Sequence, residues 1–131
     1  MPSRVSVMIV DDQPPFRAAA RAVVSRVDGF DLGAVVESGE AAVEASDSFE
    51  PDLVLMDINM GGLDGIEATR RIVAAHPDTK IILVSTYGLD ELPAGARTSG
   101  AMAYVNKDEL SPRIVRRIWE AGGDPVWARP A

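Results

Sequence analysis

Three aspartates stand where apolar runs end, and their placing suggests a single site. Asp57 closes Leu53-Val54-Leu55-Met56, and Asp11-Asp12 close the run from Val5 to Val10, which only Ser6 interrupts. A short continuous apolar run reads as a strand buried on both faces, the habit of strands in a parallel sheet. In open α/β sheets the carboxyl edge of the strands is where ligands bind. Carboxylates brought together there repel one another, and a divalent cation relieves the repulsion. With no His or Cys beside them, the oxygen donors favour a hard ion, Mg²⁺ rather than Zn²⁺. Mg²⁺ keeps waters and takes one or two carboxylates plus a phosphate, so the site suits a phosphoryl group. An aspartate carboxylate can act as a nucleophile and form an acyl phosphate. Phosphoryl transfer needs positioning and charge neutralisation above all. Lys107 and Ser85 follow two further apolar runs and could supply a positive charge and a hydroxyl.

Taken singly, each residue has a plainer reading. An acid after a strand is ordinary turn chemistry, and Asp11-Asp12 before Pro14 could cap a helix. Ser85 could be a buried hydroxyl, Lys107 a solvated charge and Tyr104 plain core. The odds shift because four strand ends each carry a group that one reaction needs.

The elements that must position these groups alternate. Strands are expected at Val5–Val10, Phe30–Val36, Asp52–Asp57, Ile81–Val84 and Ala101–Val105. Phe30–Val36 is expected at an edge, because Asp31 and Gly33 interrupt it. Helical spacing links Phe16, Ala20, Val23, Val24 and Val27 after Pro14-Pro15, with Gly29 as the stop. A second, weakly apolar helix carries Ala42, Ala45 and Phe49. A third is capped by Asp64, with Glu67 three residues on, and closes at His76-Pro77-Asp78. The fourth, around Leu89, Leu92 and Ala96, is weakened by Pro93 and Gly95; it either starts at Pro93 or is short and mobile. The last starts at Ser111-Pro112, buries Ile114, Val115, Ile118 and Trp119, and stops at Gly122-Gly123. Strand-then-helix alternation predicts an α/β, flavodoxin-like, doubly wound (βα)5 fold. Its five-stranded parallel sheet has the order 2-1-3-4-5, with helices on both faces. That order sets strands one and three side by side and brings Asp11, Asp12 and Asp57 together.

The chain has 131 residues, the size of one domain, and 47% are apolar, which argues against disorder. It has no cysteine, so disulfides and Cys-based zinc sites are excluded. No apolar run approaches the ~20 residues of a membrane-spanning helix, and no signal-peptide pattern opens the chain, so a cytoplasmic protein is expected. The net charge of −7 disfavours direct nucleic-acid binding. His76 is read as a surface residue, and Trp119 and Trp127 as packing residues. Arg113, Arg116 and Arg117 are read as a solvated face or a partner contact.

Several stretches together resemble the receiver domain of two-component response regulators, the CheY-like superfamily. They are Val7 to Asp12, Asp52 to Asp57, Met60-Gly61-Gly62-Leu63-Asp64-Gly65, Ile82-Leu83-Val84-Ser85 and Tyr104-Val105-Asn106-Lys107. Pro-Phe-Arg after the acid pair and Lys-Asp at the last motif are most similar to receivers of the NarL/LuxR type. The resemblance implies that Asp57 is the phosphoacceptor. It implies that Asp12, Asp57 and the Asn59 carbonyl hold Mg²⁺, with Asp11 acting through a water. Ser85, Thr86 and Lys107 would meet the phosphate, and Ser85 and Tyr104 would form the switch. The partner implied is a sensor histidine kinase, and by analogy a homodimer through the first and last helices is left open. The chain departs from the family at Gly61, where proline is usual, at Thr86, where a small residue is usual, and at Pro93 and Gly95.

Residues 1–123 are thus expected to form the receiver, with 124–131 a C-terminal tail or linker stub. The expected function is a phosphorylation-dependent signalling switch that is no enzyme apart from Mg²⁺-dependent autophosphorylation and autodephosphorylation. The alternatives are a receiver-like interaction module that works without phosphate and, ranked lower, a Mg²⁺-dependent phosphohydrolase. Such hydrolases usually carry an Asp two residues after the nucleophile, where this chain has Asn59. The expectation leans to a stand-alone protein over a regulator with a separate DNA-binding domain.

Overall fold

In the computed structural model, residues 4–123 and Trp127 are described. Strand β1 is Val5–Val10, β2 Phe30–Val36, β3 Leu53–Asp57, β4 Lys80–Ser85 and β5 Ala103–Asn106. The helices are α1 Pro14–Ser25, α2 Gly39–Phe49, α3 Gly65–Ala75 and α4 Pro112–Ala121. All strand pairs are parallel, in the order β2-β1-β3-β4-β5. β1 is the hinge of the topology: it pairs with β2 on one side and β3 on the other, so Asp11 and Asp57 leave neighbouring strands at one edge.

Alternating side chains divide the core into two layers. Val7, Ile9, Leu55 and Val84 pack with Ala20 and Val24 of α1 and Val115 of α4. Met8, Val10, Met56 and Leu83 pack with Ala42 of α2 and Ile66 and Ile72 of α3. β3 is buried along its whole length, as the unbroken apolar run requires. The register of β2 skips Gly33, because Val7 aligns with Leu32 and Met8 with Ala34. A side chain at Gly33 would also collide with the Phe49 ring.

The caps follow the local sequence. Ser38, Asp64 and Ser111 each accept a backbone N–H three residues on, from Ala41, Glu67 and Ile114. The Glu67 carboxylate pairs with Arg70 and Arg71. Gly122 ends α4 in the left-handed conformation. Gly29 does not end α1, which stops at Ser25; it turns the chain into β2 at φ 85°. β3 begins one residue later than expected and β5 two residues later.

The expected fourth helix is not an α-helix. Between β4 and β5 the chain makes one 3-10 turn at Leu89–Glu91, before Pro93, and then bends. Pro93 has no N–H to donate, and Gly95 and Gly100 hold φ of +89° and +101°. The space on the α2/α3 face beside β4 and β5 is taken by Ala96, Leu92, Tyr104 and Trp127. Apart from Trp127, the tail from 124 on lies outside the described residues. Among the described residues no helix is long and apolar enough to cross a membrane.

Candidate functional site

Asp11 follows β1 and is fully buried; Asp12 beside it is exposed. Asp57 ends β3 and is 3% exposed. One carboxylate oxygen from each of Asp11, Asp12 and Asp57 lies within 4.8 Å of the other two. Asp11 Oδ1 accepts the Gln13 N–H at 2.8 Å, and Asp57 Oδ1 accepts the Asn59 N–H at 3.4 Å. Asp11 Oδ2 is buried without a hydrogen bond of regular geometry among the described residues. Its partner is a charge: the Lys107 ammonium at 2.9 Å, which also stands 3.6 Å from Asp57 Oδ1.

Burial, then repulsion from Asp11, raises the Asp57 carboxyl from its ordinary 3.8 to about 6, against the pull of Lys107 and the Asn59 N–H. Three convergent carboxylates, with no nitrogen or sulfur donor among them, fit a hard divalent cation. The residues that could hold it are Asp11, Asp12 and Asp57, with the Asn59 carbonyl two residues beyond Asp57.

The loop after β3 is held close by Gly65, the first residue of α3. A Cβ there would overlap the Asp57 carbonyl oxygen. Gly61, by contrast, has nothing within 4 Å of a built Cβ, so its departure from proline relieves no crowding. Thr86 is exposed and lines an open groove of about 630 Å³ with Asp12, Phe16 and Lys107.

Ser85 ends β4 and is buried. Its hydroxyl accepts the Tyr87 N–H at 3.1 Å and shares a 2.9 Å hydrogen bond with the Tyr104 hydroxyl. Tyr104 also faces the carbonyl oxygens of Ser85, at 3.1 Å, and of Tyr87. Burial holds the Tyr104 hydroxyl above its ordinary range, so it remains a donor at neutral pH. The structure therefore joins Ser85 to Tyr104, and Lys107 to Asp11 and Asp57, as two adjoining groups.

Four residues of the site went unread in the sequence. The Lys107 ammonium lies 4.4 Å from the Phe16 ring centroid and 3.2 Å from Gln13 Oε1. Arg17 donates to the Asp11 carbonyl at 2.8 Å. The Tyr87 hydroxyl donates to Asn59 Oδ1 at 3.3 Å, bridging the loops after β3 and β4. Gln13, Phe16 and Arg17 directly follow the acid pair, which was a usable cue. Tyr87 stands only two residues beyond Ser85. His76 is not a lone surface residue. Its ring nitrogens lie 2.7 Å from Asp47 and 3.5 Å from Glu50, which ties the end of α3 to α2.

Comparison with known proteins agrees with this architecture. Residues 7–119 match the response regulator receiver domain. The response regulator GacA of Pseudomonas viridiflava is 33% identical over 114 residues, 87% of this chain and 53% of that protein. The transcriptional regulatory protein DegU of Brevibacillus brevis is 32% identical over 88% of this chain and 49% of its own length. The chain spans about half the length of these curated relatives. Among solved structures, a LuxR-family two-component response regulator from Aurantimonas sp. SI85-9A1 superposes with a TM-score of 0.80. It is 29% identical and covers 91% of this chain and 84% of its own. The response regulator domain of Thermotoga maritima CheB, 24% identical, shares the fold at a TM-score of 0.79 over 93% of this chain and 99% of its own. A match over nearly the whole described chain, on the sheet order that sets β1 beside β3, leaves one conclusion: the chain belongs to the response regulator receiver family of two-component systems, with relatives of the NarL/LuxR type.

Proposed function

We propose that this receiver accepts a phosphoryl group on Asp57 from a phosphohistidine of a sensor kinase. The observation that carries the reading is the Asp57 carboxylate itself: buried at the end of β3, beside Asp11 and Asp12, with the Lys107 ammonium 3.6 Å away. A carboxylate oxygen of Asp57 attacks phosphorus as the P–N bond to the donor imidazole breaks. The bonding electrons leave with the imidazole nitrogen, which takes up a proton. Bound Mg²⁺, held by Asp12, Asp57 and the Asn59 carbonyl with Asp11 acting through a water, would supply charge neutralisation for the phosphoryl oxygens. Lys107 is near enough to turn from Asp11 to a phosphoryl oxygen, and Gln13 and Phe16 steady its ammonium. The groove lined by Asp12, Phe16, Thr86 and Lys107 offers a donor a place to approach beside the site. With Asp57 at about 6, most of the carboxyl is ionised at neutral pH and ready to act as a nucleophile.

The test is incubation with acetyl phosphate and Mg²⁺, read by intact mass. One phosphoryl group should add to the wild type and none to Asp57→Ala. Uptake by a folded Asp57→Ala variant would remove the assignment. A second reading, a receiver that signals without phosphate, is favoured by one observation: Ser85 is already fully engaged with Tyr87 and Tyr104. Titration with beryllium fluoride separates the two, because the second reading requires no change between Ser85 and Lys107.

A further inference from the structure

Trp127 lies beyond residues 7–119, the span that matches the family, yet it is 3% exposed. It occupies the face beside β4 and β5, where the described residues between those strands form no α-helix. Its indole N–H donates to the Ala101 carbonyl at 3.1 Å. The Arg97 guanidinium lies over its ring at 4.9 Å and donates to its carbonyl at 3.2 Å. Its ring also meets that of Tyr104, with centroids 6.3 Å apart and planes tilted by 35°. Apolar burial, one indole hydrogen bond and one cation–ring contact make a specific seat for a tryptophan.

Tyr104 reaches from this seat to the phosphorylation site. Its ring touches Trp127, and its hydroxyl is bonded to Ser85. The Ser85 hydroxyl has a single proton. It cannot donate to a phosphoryl oxygen on Asp57 and to Tyr104 together, and turning away also abandons the Tyr87 N–H. Tyr104 then keeps only carbonyl partners, so the ring that forms one wall of the Trp127 seat is less firmly held.

We propose that the face beside β4 and β5, where residues 86–102 form no α-helix, is an intramolecular docking surface whose occupant is this chain's own Trp127, and that Trp127 is released when Ser85 leaves Tyr104. The docking stands on the contacts above; the release rests on the phosphorylation of Asp57 proposed in the preceding section. A groove of about 560 Å³ between β5 and α4 continues from the seat and is lined by Tyr104, Leu89, Ile118 and Trp127. Leu89 is 48% exposed, a large apolar side chain at the mouth of this groove. Release of Trp127 would join the seat to the groove, so Trp127 acts as a cover over it.

The chain has two tryptophans, so Trp119→Phe leaves Trp127 as the single reporter. In that background acrylamide quenching and emission wavelength read its exposure. The full chain should show protected, blue-shifted emission. Beryllium fluoride with Mg²⁺ should raise quenching several-fold and shift emission to the red, and Asp57→Ala should abolish the response. Tyr104→Ala should expose Trp127 with no phosphoryl mimic present. Intact mass after acetyl phosphate treatment shows separately whether Asp57 is phosphorylated. Phosphorylation with unchanged quenching overturns the release and leaves the phosphorylation reading standing. If no phosphoryl group is taken up, the release falls together with that reading. Full solvent exposure of Trp127 in the untreated protein overturns the docking itself, and unchanged protection in Tyr104→Ala overturns the link through Tyr104 and with it the release.

Discussion

Replacing Asp57 by Asn should stabilise the metal-free protein, and by an amount that depends on pH. The Asp57 carboxyl rises from 3.8 to about 6 because it is buried beside Asp11. At about 1.4 kcal/mol per pH unit, that rise is a penalty of about 3 kcal/mol on the folded state wherever the group is ionised. The sign follows from proton counting. Between about pH 4 and pH 6 the folded state holds a proton that the unfolded chain has lost, so stability falls as pH rises through this window and levels off above it. Asparagine has nearly the same shape and no charge, so the penalty disappears. An imperfect amide fit beside Asp11 and Lys107 offsets about 1 kcal/mol of the gain. Urea denaturation in EDTA should therefore show Asp57→Asn about 2 kcal/mol more stable than wild type at about pH 8, with the gap shrinking by about half or more at about pH 5. Added Mg²⁺ should narrow the gap from the other side, by stabilising the wild type more than the variant. An Asn variant no more stable than wild type at about pH 8, or a gap that ignores pH, would refute the view that burial and Asp11 set the state of this carboxyl.

Three further outcomes follow from single contacts. Lys107→Ala removes the cation 2.9 Å from Asp11 and should tighten Mg²⁺ binding about tenfold by isothermal titration while slowing phosphorylation; unchanged or weaker Mg²⁺ binding would show that the ammonium does not compete for these oxygens. Gly65→Ala drives a Cβ into the Asp57 carbonyl and should cost about 2 kcal/mol or more, whereas Gly61→Ala has open space and should stay within about 0.5 kcal/mol of wild type, both read by urea midpoint. The buried Thr69 hydroxyl has no hydrogen-bond partner among the described residues, so Thr69→Val, which keeps the shape, should raise stability by about 1 kcal/mol in the same assay.

What was legible in the sequence was local. Val5–Val10 and Phe30–Val36 are strands as the apolar pattern predicts, and Ser38, Asp64 and Ser111 sit at helix starts because a short polar side chain can reach an N–H three residues on. The acids at the ends of β1 and β3 met because parallel strand order follows from alternation and handedness. The fourth helix misled in degree. Leu89, Leu92 and Ala96 have helical spacing, but Pro93 and the positive φ of Gly95 confine the regular backbone to the turn at Leu89–Glu91.

By itself, then, the sequence determined five strands, their order and three carboxylates at one edge, since runs, caps and crossovers are settled by neighbours along the chain. Only the tertiary structure decided what those groups touch. The Phe16 ring beneath Lys107, the Tyr87 hydroxyl on Asn59 and the Trp127 ring against Tyr104 are contacts between segments distant in sequence. Such contacts depend on how two layers pack across a sheet, and no spacing of residues along the chain records that.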